Sequence, residues 1–178
     1  LYRKSMNEDR AIALQATGLG QVREDFTGKA EDIVIAARGE FARLGYRGVT
    51  MRGIAEAANV STRTVYNNFE DKLALFTACI DAGASRFPVL ALTGEPGEAL
   101  RRLGSDLLMH LSAPLSYQIS LMIFRDGSEF PEIRQAARRN YDTFLIAPLA
   151  KYLQGCGVAE ADAPTYARLF SNMATSEW

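Results

Sequence analysis

Apolar residues recur every three to four positions along most of the chain after residue 31, the spacing that places them on one face of an α-helix. The first such segment ends before Gly45, because glycine is the usual residue just past a helix C-terminus. A later segment contains Pro148, which predicts a kink. No pair of alternating strand patterns appears, so we expect an all-α fold. The predicted helices cover residues 31–44, 51–58, 62–69, 71–84, 98–111, 114–124, 131–154 and 163–178.

The helical segments fall into two groups, separated by a stretch rich in proline and glycine. This stretch, which contains Pro88, Gly94, Pro96 and Gly97, is the predicted domain boundary. The leader before the first helix has no sustained period and predicts a mobile arm with at most a short helix. We therefore expect an N-terminal arm over residues 1–30, a first domain over 31–84 and a second over 85–178.

The second and third predicted helices are short and are joined by a very tight turn. Thr50 and Ser61 stand where N-cap residues are expected, and Asn59 in the turn tolerates a positive φ. Val65 and Phe69 point inward in this interpretation. The side chains left to face outward, as on the recognition helix of a helix-turn-helix in the DNA major groove, are Thr62, Arg63, Thr64, Tyr66 and Asn67.

The stretch VTMRGIAEAANVSTRTVYNNFEDKLALF, preceded by ARGEFARLGYRGVT, resembles the DNA-binding domain of the TetR family of transcriptional regulators. The resemblance covers about residues 32–78. It departs from the family at Asn59, where glycine is usual, and at Gly53, where an acidic residue often completes a capping box with Thr50. The arrangement most typical of the family is Tyr66, Phe69, Lys72, Leu75 and Phe76.

The resemblance implies roles for individual residues. Arg52, from the second helix, and Arg63 would contact bases, while Tyr66 and Lys72 would hold phosphates. It also implies a homodimer on a palindromic operator in double-stranded DNA, with half-sites about 34–36 Å apart. The full set of implied DNA contacts is Arg47, Thr50, Arg52, Thr62, Arg63, Thr64, Tyr66 and Lys72.

The sequence of the second domain indicates its function less clearly than that of the first. Its piece RDGSEFPEIRQAARRNYDTFL is similar to the C-terminal region of AcrR-like members of the same family, which implies a cavity for a small apolar or aromatic effector. Plain packing between helices is the alternative for each candidate pocket residue. These candidates are Leu108, Met109, Met122, Phe124, Tyr141, Phe144 and Leu145.

The last helical segment carries an apolar stripe that is either core or a dimer face. The resemblance favours a stripe shared between the two. Family members usually have one more helix after this one, so either that helix is absent from this sequence or the interface differs. The stripe consists of Tyr166, Leu169, Phe170 and Met173.

Composition narrows the function further. The chain has 178 residues, with 20 Lys+Arg against 21 Asp+Glu, so the global charge gives no indication of nucleic acid. Residues 38–72 hold six basic and four acidic side chains, a local balance of +2. One histidine and two cysteines do not provide a metal site, a disulfide framework or a catalytic constellation, so we expect no cofactor and no enzyme. No apolar run is long enough to span a bilayer, and we expect a cytoplasmic protein.

Three hypotheses follow. The first is a ligand-responsive transcriptional regulator, most simply a repressor released from its operator by the effector. The second is a DNA-binding architectural or interaction factor of the same fold without an effector. The third is an enzyme, for which no residue pattern gives positive support.

Overall fold

The computed structural model describes residues 28–84 and 92–175, and all regular elements within these ranges are helical. The predicted all-α fold is confirmed. Most of the predicted N-terminal arm, part of the Pro/Gly-rich boundary and the end of the last predicted helix lie outside the described residues. The helices are α1 (Lys29–Gly48), α2 (Met51–Ala57), α3 (Thr62–Asn68), α4 (Lys72–Ala84), α5 (Pro96–Ser112), α6 (Pro114–Asp126), α7 (Pro131–Tyr141), α8 (Ala147–Gly155) and α9 (Ala163–Thr175).

The helix α1 does not stop at Gly45 but breaks there and continues for three residues. Gly45 has φ 75° and ψ 169°, a conformation that only glycine adopts without strain. The helical spacing of Ile33, Ala37, Phe41 and Leu44 predicts that all four face inward. The first three are fully buried, but Leu44, the last residue before the break, is 41% exposed.

A first hydrophobic core joins the N-terminal helices (residues 28–84, here called the head) to part of the C-terminal region (residues 92–175, the body). Its fully buried side chains in the head include Phe41, Ile54 and Leu75, and the body contributes Met122 and Ile133. The hydrophobic contact between head and body is therefore built through α6 and α7. An aromatic cluster of Phe41, Tyr46, Phe76 and Phe130, with ring centroids 5.1–5.9 Å apart, lies in this core.

A second core lies wholly within the body and is formed by α5, α8, α9 and the turn Asp142–Ile146 that precedes α8. The predicted kink near Pro148 takes the form of a π-helical turn over Asp142–Ile146, which joins α7 to α8. A proline cannot donate a backbone hydrogen bond, so the preceding turn is free to adopt this wider geometry. The fully buried side chains of this core are Leu103, Leu107, Leu145, Leu149, Ala163 and Ala167.

Within the described ranges no single helix is long and apolar enough to cross a membrane. One bent pair, α5 with α6, meets the length and composition requirements together, with an angle of 77° between the two helices.

Candidate nucleic-acid interface

The helix-turn-helix is held in shape by its own side chains. Thr50 accepts a hydrogen bond from the backbone N–H of Gly53 (3.0 Å), and Ser61 accepts one from Thr64 (3.0 Å). Both N-caps predicted from the sequence are confirmed. Asn59 has φ 52°, the left-handed conformation that the tight turn requires. The caps and the turn conformation therefore match what the sequence of the two short helices predicts.

The helix α3 buries one side and exposes the other. Val65 is fully buried and Phe69, just after the helix, is nearly so, whereas Thr62, Arg63 and Tyr66 are exposed. Tyr66, at 53% exposure, is a large aromatic side chain facing outward. A seven-residue helix that buries one valine and presents polar groups to the outside has the form needed to enter a DNA groove.

Thr64 is placed differently from its neighbours. It is half-buried, and its hydroxyl lies 2.8 Å from the Ser61 hydroxyl at the start of the same helix. This hydrogen bond already engages the Thr64 side chain within the protein. A contact from Thr64 to DNA would have to use its remaining hydrogen-bonding capacity.

The ammonium group of Lys72 ties the first residue of α4 to the end of α1. Its Nζ donates to the carbonyl oxygens of Tyr46 (2.8 Å) and Val49 (3.2 Å), and lies 4.5 Å from the centroid of the Tyr46 ring. Partial burial lowers the pKa of Lys72. Burial likewise raises the pKa of Tyr46 to about 12. Because an ammonium has three protons, one remains for a phosphate after both carbonyls are satisfied.

Two of the predicted DNA-contacting arginines are engaged in ion pairs. Arg52 pairs with Glu56 one turn along α2, at 3.0 Å, with both side chains largely exposed. Arg47 pairs with Glu129, in the loop between α6 and α7. Exposed pairs of this kind add little to stability, because water and salt screen them. They can therefore be exchanged for contacts to DNA at little cost.

Arg63 differs from these residues. It is exposed, and within the described residues it forms no ion pair. It lies in the first turn of α3 between Thr62 and Thr64. Its guanidinium is thus available for a bidentate contact to a guanine edge.

One group at the base of the head was missed by the sequence analysis. The Asp126 carboxylate, at the end of α6, accepts a hydrogen bond from the backbone N–H of Tyr46 (2.8 Å) and binds the Arg125 guanidinium (2.7 Å). Its side chain is only 11% exposed. Arg125, followed by the backbone N–H groups of Tyr46 and Arg47, holds the pKa of Asp126 below its ordinary value. Eighty residues separate Tyr46 from Asp126, so no local pattern could have indicated this contact.

The predicted pocket residues do not lie in one place. Met122 belongs to the first core and Leu145 to the second, while Tyr141 and Phe144 are half-buried. The Tyr141 hydroxyl donates to the buried Ser171 hydroxyl (2.6 Å). The remaining three are exposed at the surface of α5 and α6: Leu108, Met109 and Phe124, the last at 87%.

The predicted dimer residues lie on α9, and three of the four are exposed. Tyr166, Leu169 and Met173 are exposed, and Phe170 is half-buried against the second core. Both cysteines are free thiols, with Cys79 buried and Cys156 exposed. Among the described residues no group of three or more His, Cys, Asp or Glu side chains could hold a metal ion.

Comparisons with known proteins agree with this geometry. Residues 33–79 match the family described as bacterial regulatory proteins, tetR family. The uncharacterized HTH-type transcriptional regulator YvkB of Bacillus subtilis is 33% identical over 103 residues, which are 57% of this chain and 53% of that protein. The chain thus aligns with about half the length of this relative.

Solved structures agree over a larger part of the chain. A Mesorhizobium loti protein described as a TetR-family transcriptional regulator superimposes with a TM-score of 0.62 at 25% identity, covering 79% of this chain and 75% of that one. Salmonella enterica GusR gives a TM-score of 0.68 at 24% identity, covering 83% and 80% of the two chains. The head and the body together therefore have the fold of these two proteins.

Proposed function

We propose that this chain, whose residues 33–79 match the tetR family of bacterial regulatory proteins, is a transcriptional repressor that a small apolar or aromatic molecule releases from a palindromic operator. The observation that carries the proposal is the recognition helix α3, which buries Val65 and presents Thr62, Arg63 and Tyr66 outward. Since the operator would be bacterial chromosomal DNA, the proposed place of action is the cytoplasm.

The proposed division of labour follows the exposure of each group. Arg63 and Arg52 would contact base edges, and Tyr66, Lys72, Arg47 and Thr50 would contact the backbone. Thr62 and Thr64, at the N-terminus of α3, would lie beside a phosphate or a base edge. None of these contacts needs a large rearrangement, because the engaged arginines form only exposed ion pairs.

The proposed active species is a homodimer. The exposed apolar stripe of α9, from Tyr166 through Leu169 to Met173, supports this, because a second copy could cover it along a twofold axis. A dimer would also place two α3 helices on two half-sites of the operator. In such a dimer the ligand would favour a conformation in which the two heads have a different spacing. A coupling free energy of about 1–3 kcal/mol between ligand and DNA would change operator occupancy substantially.

Selection of bound DNA from a random pool tests the DNA-binding part of the proposal. We expect enrichment of an inverted repeat whose half-sites are about one helical turn apart. Enrichment of no sequence, under low-salt conditions that favour binding, would contradict a sequence-specific regulator. Enrichment of a site without twofold symmetry would instead contradict binding as a twofold dimer.

A second candidate function is a DNA-binding architectural factor without an effector. One observation favours it: the candidate pocket side chains divide between two cores and the surface, with Met122 in one core and Leu145 in the other. The two functions differ in one measurement. If a panel of apolar and aromatic compounds leaves the affinity for the selected operator unchanged, the architectural function is preferred over the ligand-responsive one.

A further inference from the structure

The junction between head and body has an unusual polar construction. The break at Gly45 turns the last residues of α1 away from the helix axis, and the next backbone N–H, that of Tyr46, is directed to Asp126 Oδ2 at 2.8 Å. The Arg125 guanidinium lies against the same carboxylate. A side chain at position 45 would meet Arg125 and would lie 2.8 Å from Asp126 Oδ2, so the carboxylate approaches a backbone that has no room for a Cβ.

The same short turn also holds the helix-turn-helix. The carbonyl oxygens of Tyr46 and Val49 both accept hydrogen bonds from Lys72 at the start of α4. Thr50, the next residue, caps α2. The backbone N–H that Asp126 binds is thus only five residues from Met51, where α2 begins. A displacement of Asp126 would therefore move a backbone segment that leads directly into α2.

The loop after Asp126 reinforces the contact from the body side. The backbone carbonyl of Asp126 accepts hydrogen bonds from the N–H groups of Glu129 (3.1 Å) and Phe130 (2.9 Å). Glu129 pairs with Arg47, and the Phe130 ring packs edge-on against Tyr46 at 5.1 Å. One residue therefore organises both sides of the junction, with its backbone holding the loop and its side chain holding α1.

We infer that Asp126 is a positioning residue for DNA binding, whose carboxylate fixes the orientation of the helix-turn-helix relative to α6 and the body. This inference rests on the proposed function, because orientation matters only if the head engages DNA. The end of α6 is then the place where a conformational change in the body would alter the orientation of the head and so the affinity for the operator. Asn140 also donates a hydrogen bond from the body to the head, to Asp81 at 2.9 Å, but this contact joins α7 to α4 farther along the chain from α2.

The test measures orientation and affinity separately in the full chain. A spin label on the native exposed Cys156 and another on Asn67→Cys, which is exposed on α3, report the distance between body and head; Cys79 is buried and should not be labelled. Labelled chain is diluted into unlabelled chain so that each distance arises within one molecule. Affinity is measured on the unlabelled protein, with the selected operator, as a function of salt.

We expect Asp126→Ala to shift or broaden the label distance and to weaken operator binding by about 2- to 30-fold, the range for substitutions that alter coupling without touching a ligand. The salt slope should stay unchanged, because no phosphate contact is removed. Asp142→Ala is the matched control. It also removes a carboxylate bound to an arginine (Arg168, 2.7 Å), but this pair lies within the body and should leave distance and affinity unaltered.

The inference is overturned if Asp126→Ala gives the same label distance and affinity as Asp142→Ala. Should Asp126→Ala fail to melt cooperatively, Asp126→Asn, which keeps one oxygen for Tyr46, replaces it and should give a smaller change in the same direction; an unaltered distance in folded Asp126→Asn overturns the inference equally. If the unsubstituted protein binds no DNA, the proposed function fails, while the label distance still decides whether Asp126 orients the head.

Discussion

The helix-turn-helix and the body hold their helices by different means. The seven-residue helices α2 and α3 are closed by side-chain caps, and the Lys72 ammonium ties α4 to the end of α1 beside an aromatic cluster. The body helices, which have 9 to 17 residues, pack around the second core mainly through aliphatic side chains and leave apolar groups such as Phe124 and Met173 exposed to solvent. Short helices bury too little surface to define their own geometry, so polar contacts contribute more to it. The helix-turn-helix therefore depends on individual hydrogen bonds, whereas the second core depends on apolar packing.

The largest expected effect on stability comes from removing a leucine side chain from either core. This pair of substitutions tests whether the two cores unfold independently. Leu75 and Leu149 are both fully buried leucines, one in each core. Replacing either by alanine should lower the free energy of unfolding by about 2–5 kcal/mol. Because α7 and α8 run from the first core into the second, we expect both variants to shift one common denaturation transition. Two separate transitions in Leu149→Ala, with the head unaffected, would show that the cores unfold independently.

A side chain added at the break in α1 is expected to have the next largest effect on stability. Gly45→Ala places a Cβ against Arg125 and Asp126 at a φ of 75°, which should cost about 1–3 kcal/mol of unfolding free energy. Gly39 lies in the regular part of the same helix, and a Cβ added there would have no other atom within 4 Å. Gly39→Ala should instead stabilise by about 0.5–1 kcal/mol. Equal effects of the two substitutions in urea denaturation would mean that the junction tolerates a side chain.

The outward face of α3 should control sequence preference. Arg63→Ala is expected to cost about 1–3 kcal/mol at particular base pairs of the operator, because a bidentate contact to a guanine is lost. Arg138, an exposed arginine on α7 in the body, is the matched control, and its substitution by alanine should not alter the preferred sequence. If selection from a random pool returns the same motif for Arg63→Ala and the unsubstituted protein, Arg63 does not contact bases.

Lys72→Ala tests a residue with two roles. Loss of the two hydrogen bonds to carbonyls should lower the unfolding free energy by about 1–3 kcal/mol. If the third proton binds a phosphate, affinity should fall for all DNA sequences and the salt slope should decrease by about 0.9. A lower affinity with an unaltered slope would restrict Lys72 to holding α1 against α4.

The smallest expected effect is on the stability of the fold at low pH. The pKa of Asp126 in the folded state lies below its ordinary value of 3.8, so the unfolded chain takes up this proton first as the pH falls. The contribution is fully present above the ordinary pKa and is lost as the pH falls through the folded one. Asp126→Asn should accordingly flatten the acid limb of the stability curve, measured by denaturation between about pH 6 and 2. An unaltered acid limb would mean that the carboxylate binds Arg125 and Tyr46 no better than water does.

The sequence was sufficient where contacts are local. Caps, a tight turn and helical periodicity involve residues within four positions of each other, so Thr50, Asn59, Ser61 and the buried Val65 could all be predicted from their neighbours. The resemblance to a family rests on the same local segment. The DNA-binding role of the individual residues stays a prediction, as do the domain boundaries, the pocket residues and the dimer face.

The tertiary structure decided what depends on distant residues. Only the packing of α1 on α6 brings Asp126 to Tyr46 and Glu129 to Arg47, and Leu44 is exposed although the spacing of its helix predicts that it faces inward. The same packing divides Met122 and Leu145 between two cores although both have the apolar character of pocket residues. Periodicity specifies which face of a helix is apolar, but not which helix covers it. The sequence by itself therefore determined a helix-turn-helix in an all-helical chain, and the folded chain determined how that unit is held.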